Sequence, residues 1–79
     1  MKIDEFHPGD VVFLEHSIAG LPYPTGVYAI WRITEGLVVL SLVSENADGL
    51  YGIDNPYTIS AEDLEAFTLT SEKARVPGH

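Results

Sequence analysis

Hydrophobic and polar positions alternate along this chain in short stretches, and no helical period extends over ten residues. The alternation is most regular over residues 26–34. One face of this segment is wholly apolar and consists of Val27, Ala29, Trp31 and Ile33. The pattern predicts a long strand with that apolar face in the core and with Tyr28 on the mixed, more exposed face.

Turn-forming residues divide the rest of the chain into further short strands. A Glu-Gly turn joins the segment 26–34 to a return strand over 37–43, which predicts a β-hairpin. Two other strands are predicted at residues 11–16 and 66–70, and a third consists of two short pieces, 50–53 and 57–59, broken by Asp-Asn-Pro. Residues 17–25 contain Pro22 and Pro24, and two prolines this close exclude a central strand, so we predict a loop there.

The end of the domain carries a more specific signal. Ser60 stands three residues before Asp63, a spacing that is typical of a capping box and predicts a helix start. The segment is too short for more than one 3₁₀ turn, with Leu64 as its inward anchor. Residues 71–79 are mostly polar and have no strand or helix pattern. We therefore predict a single domain over residues 1–70, followed by a disordered, flexible tail.

The order of these elements resembles an SH3-like small β-barrel. The resemblance rests on Pro-Gly-Asp-Val-Val at 8–12, on the Glu-Gly hairpin, and on Ile-Ser-Ala-Glu-Asp-Leu at 59–64 before the last strand. It covers roughly residues 8–70 and implies an all-β fold with five strands and one 3₁₀ turn. The Ala-Leu-Tyr-Asp-Tyr stretch of eukaryotic SH3 domains is absent, so the resemblance implies no polyproline pocket.

Charge changes the picture more than composition does. The 79 residues include twelve acidic and four basic ones, which gives a formal net charge of −8. Arg32 is the only basic residue between positions 3 and 72. Nucleic acids and anionic membranes require clustered Lys and Arg, so we expect neither as a direct partner. The longest apolar run is four residues and the N-terminus does not resemble a signal peptide, so we expect a cytoplasmic protein.

Residues that could support chemistry are few. No cysteine is present, which excludes disulfides and zinc–thiolate sites. His7 and His16 lie at opposite ends of a predicted strand, so we expect no metal site and no cofactor. The sequence has neither a Gly-x-Ser-x-Gly turn nor a glycine-rich phosphate loop. So small a barrel offers little depth for desolvating carboxylates, and we predict a protein that is not an enzyme.

The acidic residues suggest a binding function. In an SH3-like barrel the first and last strands lie near each other, which would gather acidic residues from both ends of the chain on one side. We predict that this side binds a basic protein surface. The most specific form of this prediction is an inhibitor that imitates nucleic-acid charge and blocks a nucleic-acid-binding protein, as anti-restriction and anti-CRISPR proteins do. The candidate partner-binding residues are Asp4, Glu5, Asp10, Glu15, Glu62, Asp63 and Glu65, with Tyr23 and Tyr28 as aromatic contacts.

Three alternatives remain open at this point. One is a small enzyme or ligand-binding barrel, which a pocket with perturbed carboxylates would favour. The acidity could serve only solubility, as in many cytosolic proteins. Alternatively, the chain is an accessory or structural subunit that joins an assembly or a homodimer through its loop aromatics and its apolar first strand. Tyr23 is then either a lid over the barrel or a binding contact. Charge-driven binding weakens steeply with salt and hydrophobic docking does not, which separates these hypotheses.

Overall fold

Antiparallel strands make up most of the structure, a computed structural model that describes residues 2–77, with side chains from Asp4 onwards. The all-β class predicted from the sequence is confirmed. In chain order the elements are the 3₁₀ helix η1 (Lys2–Glu5), the strands β1 (Asp10–Leu14), β2 (Gly26–Thr34), β3 (Leu37–Asn46), β4 (Gly49–Gly52) and β5 (Tyr57–Ser60), the 3₁₀ helix η2 (Ala61–Ala66) and the strand β6 (Phe67–Lys73).

The strands form one antiparallel sheet in the order β4-β3-β2-β1-β6, and β5 pairs with β3. Both β4 and β5 lie along β3, with β4 against its second half and β5 against its first half. They are two pieces of one interrupted strand, which explains why six strands are observed where five were predicted. The interruption includes Pro56, and the backbone N–H of Ile53 donates to the carbonyl of Leu42 at 2.8 Å. This arrangement is compatible with a small barrel.

The predicted 3₁₀ turn before the last strand is confirmed as η2. The side chain of Ser60 accepts a hydrogen bond from the backbone N–H of Glu62 at 3.4 Å, which caps the helix as its sequence predicted. Leu64 is buried and anchors the helix in the core. The backbone N–H of Ala61 donates to the carbonyl of Gly36 at 2.9 Å, so η2 is also attached to the tip of the β2–β3 hairpin.

Over residues 26–30, the face of β2 that lies in the main core is the opposite of the predicted one. Tyr28 and Ile30 lie in the main core, whereas Val27 is 42% exposed. A bulge between Ile30 and Arg32 then inserts one residue into the strand, so that Ile33 packs against the same core. Strict alternation ignores this bulge and places Ile33 on the face opposite Tyr28 and Ile30, whereas in the structure all three pack in one core. The prediction that Tyr28 is exposed is therefore wrong.

The outer face of β2 is also covered in part, which is why its apolar residues misled the prediction. Ala29 and Ser41, which pair across β2 and β3, are both fully buried. Trp31 is half-buried, and its indole N–H donates to Ser41 Oγ at 2.8 Å. A Cβ atom on Gly52 would lie only 3.2 Å from Val76 Cγ1, so the C-terminal segment packs over this face.

The boundary between the domain and its tail lies later in the chain than predicted. β6 continues to Lys73, and the backbone N–H of Ala74 then donates to the carbonyl of Gly9 at 2.8 Å. Arg75 donates to the carbonyl of Leu50 at 3.0 Å and accepts from the N–H of Gly52 at 2.8 Å. Residues 71–75 are therefore part of the sheet and connect the β6 side to β4. The last two residues of the predicted tail lie outside the described residues.

Candidate protein-binding surface

Acidic side chains from the two ends of the chain meet on two adjacent helices. The short 3₁₀ helices η1 and η2 pack against each other. Phe6, which follows η1, and Leu64, which belongs to η2, are buried in the same core. We call their five acidic residues the acidic helix pair; they are Asp4, Glu5, Glu62, Asp63 and Glu65. Asp63 is half-buried and the other four are exposed. The structure therefore brings together five of the seven acidic residues proposed from the sequence.

Glu15 lies near the C-terminal end of η2. Its backbone N–H donates to the carbonyl of Ala66, the last residue of η2, at 3.0 Å. The hydroxyl of Thr68 donates to the Glu15 carboxylate. Glu15 is exposed, so it extends the acidic surface from η2 onto β1 and β6.

Asp10 does not belong to this surface. It is only 3% exposed, and its carboxylate accepts hydrogen bonds from the ammonium of Lys73 and from the backbone N–H of His7, the latter at 2.8 Å. A buried carboxylate with these partners holds the fold together and cannot contact a protein partner. Its burial therefore rules out its assignment as a binding residue. No local sequence pattern indicates that Lys73 pairs with it.

Tyr28 is also unavailable to a partner. It is 0% exposed, and its ring packs edge-to-face on Phe67 with the ring centroids 6.1 Å apart. Among the described residues, no hydrogen-bond partner reaches its hydroxyl group. Burial raises the pKa of the Tyr28 phenol above its ordinary value, and the nearby hydroxyls of Tyr57 and Tyr23 raise this pKa further.

Tyr23 remains a possible contact. The loop that contains it covers one part of the core through Ile18 and Leu21, which pack against the buried cluster. Tyr23 itself is 54% exposed. The loop thus acts as a cover, while the ring of Tyr23 stays accessible to a partner.

A groove of about 480 Å³ borders the acidic helix pair, and sequence reasoning did not identify it. It lies between the segment around η1 and the tip of the β2–β3 hairpin. Phe6, Pro8 and Ile33 give it apolar walls, and the exposed carboxylates of Asp4 and Glu35 stand along it. Phe6 is a core residue, and in the sequence only its apolar character within a polar stretch marks it.

Comparisons with protein-family models, with curated proteins and with solved structures gave no match. The interpretation therefore rests on the residues themselves. Neither 3₁₀ helix has the length or the apolar character that crossing a membrane requires, as far as residues 2–77 are concerned. Within the same residues, no three histidine, aspartate or glutamate side chains are close enough to hold a metal ion.

Proposed function

We propose that this protein is a non-catalytic, SH3-like acidic module that docks its acidic helix pair on a Lys/Arg-rich protein surface. The observation that carries the proposal is the placement of five acidic residues on two helices that pack against each other. Gathered like charges repel one another, which costs stability in a domain of this size. A basic partner removes this repulsion on binding, so the same carboxylates that destabilise the free protein favour the complex.

The sharper form of the proposal is inhibition by charge mimicry. A protein that binds nucleic acid presents clustered Lys and Arg to the phosphates. Exposed carboxylates on one surface, from Glu15 through η2 to η1, carry the same sign of charge as a phosphate backbone. Such a surface would occupy a nucleic-acid channel and compete with nucleic acid for it.

The test reverses the charges on η2 and measures binding to the partner captured from the native host. We expect the triple variant Glu62→Lys, Asp63→Lys, Glu65→Lys to lose binding and most of the salt dependence of binding, because the attraction becomes repulsion. Single-stranded or duplex DNA and RNA should displace the wild-type protein from the same partner. Unchanged affinity and unchanged salt dependence in the triple variant would contradict the proposal.

A matched control variant separates the acidic helix pair from net charge. Glu45→Lys, Asp48→Lys, Asp54→Lys changes the net charge by the same amount at exposed positions near the end of β3, in the β3–β4 turn and in the β4–β5 connection. We expect this control to retain most of the affinity. Equal losses in both triple variants would mean that only the overall charge matters.

One observation favours the second candidate, an accessory subunit or homodimer. Phe13 and Val27 stand directly opposite each other on β1 and β2, and they are 40% and 42% exposed. Two apolar side chains paired on an outer sheet face suit a hydrophobic contact. Phe13→Ser would disrupt assembly in that case, with little dependence on salt, whereas it should leave charge-driven binding almost intact.

A further inference from the structure

The groove beside η1 combines two properties, apolar walls and exposed carboxylates. Its apolar walls include Phe6, which is almost completely buried, and the half-buried Ile33. Its exposed carboxylates are Asp4, from η1, and Glu35, from the hairpin turn. The groove also contacts the exposed ring of His7 and is open to solvent. Apolar walls beside carboxylates match a long side chain with an alkyl stem and a cationic end.

The groove is continuous with the acidic helix pair. Asp4 belongs to both, and the hydrogen bond from Ala61 to the carbonyl of Gly36 fixes the hairpin tip against η2. Gly36 has a φ of +74°, a left-handed conformation that glycine adopts without strain and that suits the tight turn carrying Glu35. A partner that covers the helices therefore meets the groove at the same time.

We propose that this groove binds a lysine or arginine side chain of the partner, with its alkyl stem on the exposed Pro8 and on Ile33 and its charge between Asp4 and Glu35. The inference rests on the proposed function and identifies the subsite where recognition combines charge with shape. Acidic residues on an open surface attract any cation, whereas this groove selects a cation that carries a stem of sufficient length.

A second pocket serves as a contrast. It has a volume of about 150 Å³ and is lined by Trp31, Val39, Pro56 and Pro77 together with Arg32. The guanidinium group of Arg32 would repel a cationic side chain, so charge complementarity favours the groove beside η1 over this pocket.

The test is an NMR titration of the ¹⁵N-labelled full chain with synthetic eight-residue peptides that contain either four arginines or four lysines among glycines and serines. We expect both peptides to shift the backbone amide signals of Phe6, Ile33 and Gly36. Peptides with citrulline for arginine, or norleucine for lysine, keep the stem without the charge and should cause no such shifts. Shifts confined to η2, with none at the groove, would overturn this inference and leave the proposed function standing.

Stem length supplies a second criterion. Diaminopropionic acid carries the ammonium group of lysine on a much shorter stem. A peptide with this residue should bind at least about threefold more weakly than the lysine peptide, because the stem no longer covers the apolar walls. Equal affinities would mean that the cations contact only the exposed carboxylates and would overturn the inference.

Two matched variants complete the design. Asp4→Asn, Glu35→Gln removes both groove charges, and we expect it to weaken binding of the arginine peptide about fivefold. Glu45→Gln, Asp48→Asn removes the same charge from the end of β3 and the β3–β4 turn, and it should change binding less than about twofold. Equal effects of the two variants would refute the groove as the binding site of the cationic side chain. Failure of the η2 charge reversal to affect capture of the partner would instead refute the proposed function.

Discussion

The ammonium group of Lys73 donates a hydrogen bond to the carboxylate of Asp10 and thereby joins the end of β6 to the start of β1. The side chain of Asp10 is 4% exposed, whereas that of Lys73 is 73% exposed. Lys73→Met would leave a buried carboxylate with the backbone N–H of His7 as its remaining described hydrogen-bond donor. We expect a loss of about 1–2 kcal/mol in the free energy of unfolding, measured by urea denaturation.

A double variant tests whether the unpaired charge causes this loss. Asp10→Asn, Lys73→Met leaves no charge buried, so it should be more stable than Lys73→Met alone. If Lys73→Met is as stable as the wild type, the ion pair contributes nothing measurable and this interpretation of Asp10 fails.

The C-terminal segment should matter for stability although its sequence suggested otherwise. Removing residues 74–79 would eliminate three backbone hydrogen bonds, those of Ala74 and Arg75 with Gly9, Leu50 and Gly52. It would also uncover the outer face around Trp31. At roughly 1 kcal/mol for each hydrogen bond, we expect the melting temperature to fall by about 10 °C or more in circular dichroism. Removing only residues 78–79 is the control and should leave the melting temperature nearly unchanged.

The sequence predicts the strands well because their boundaries are local. Gly26 begins β2 and the turn before Leu37 ends it, and both signals lie within a few residues of the elements that they delimit. The burial of β2 is not local in this sense. The bulge after Ile30 and the cover that Val76 gives to the outer face depend on distant parts of the chain. Apolar alternation alone could therefore not identify the core face.

Sequence reasoning likewise predicted one part of the candidate site correctly and missed other parts. The predicted proximity of the two acidic ends is correct for η1 and η2, because the pairing of β1 with β6 brings them together. Asp10 could not be separated from the other acidic residues, since its partner Lys73 lies 63 positions away and no local pattern connects them. The groove beside η1 requires the tip of a hairpin to meet the N-terminal segment, which is likewise invisible in the sequence.

Gly52 should tolerate no side chain. A Cβ atom at this position would lie 2.8 Å from Ser41 Oγ and 2.9 Å from Trp31 Nε1, closer than van der Waals contact allows. Gly52→Ala should therefore displace the hydrogen-bonded Trp31–Ser41 pair and lower the free energy of unfolding by about 1–3 kcal/mol. Trp31 fluorescence should change in the same variant.

Gly26→Ala is a suitable control for this prediction. Gly26 also lies in a strand, but its Cβ would meet Tyr28 Cε1 at 3.5 Å, an ordinary contact. We expect a change of less than about 1 kcal/mol. Equal destabilisation of the two variants would show that steric crowding at Gly52 is not the cause.

Tyr28 should make the fold sensitive to alkaline pH. The raised pKa of its buried phenol means that the unfolded chain ionises this group first, near its ordinary pKa of 10.0. Stability is therefore fully present below pH 10 and falls as the pH rises above that value. Tyr28→Phe should reduce this fall, as measured by urea denaturation between pH 8 and about pH 11.

The same variant has a second consequence at neutral pH. The Tyr28 hydroxyl has no hydrogen-bond partner among the described residues, so its removal sacrifices no bond. Tyr28→Phe should be as stable as the wild type or slightly more stable. Tyr51→Phe, in β4, is the matched control and should retain the alkaline sensitivity of the wild type. A large loss of stability in Tyr28→Phe would contradict this prediction and show that the hydroxyl makes a stabilising hydrogen bond.

The acidic helix pair should lower the stability of the free protein measurably. Repulsion among its carboxylates predicts that the free protein becomes more stable as salt is added. Glu65 is the most unfavourable of the three acidic residues on η2, since it lies near the C-terminus of the helix, while Glu62 and Asp63 lie in its first turn. Glu65→Gln should therefore raise the free energy of unfolding by about 0.3–1 kcal/mol at low salt, and this gain should shrink at high salt. Glu45→Gln, at an exposed position in β3, controls for net charge and should give a smaller gain. A loss of stability in Glu65→Gln, or a gain that salt leaves unchanged, would contradict the repulsion on which the proposed binding function depends.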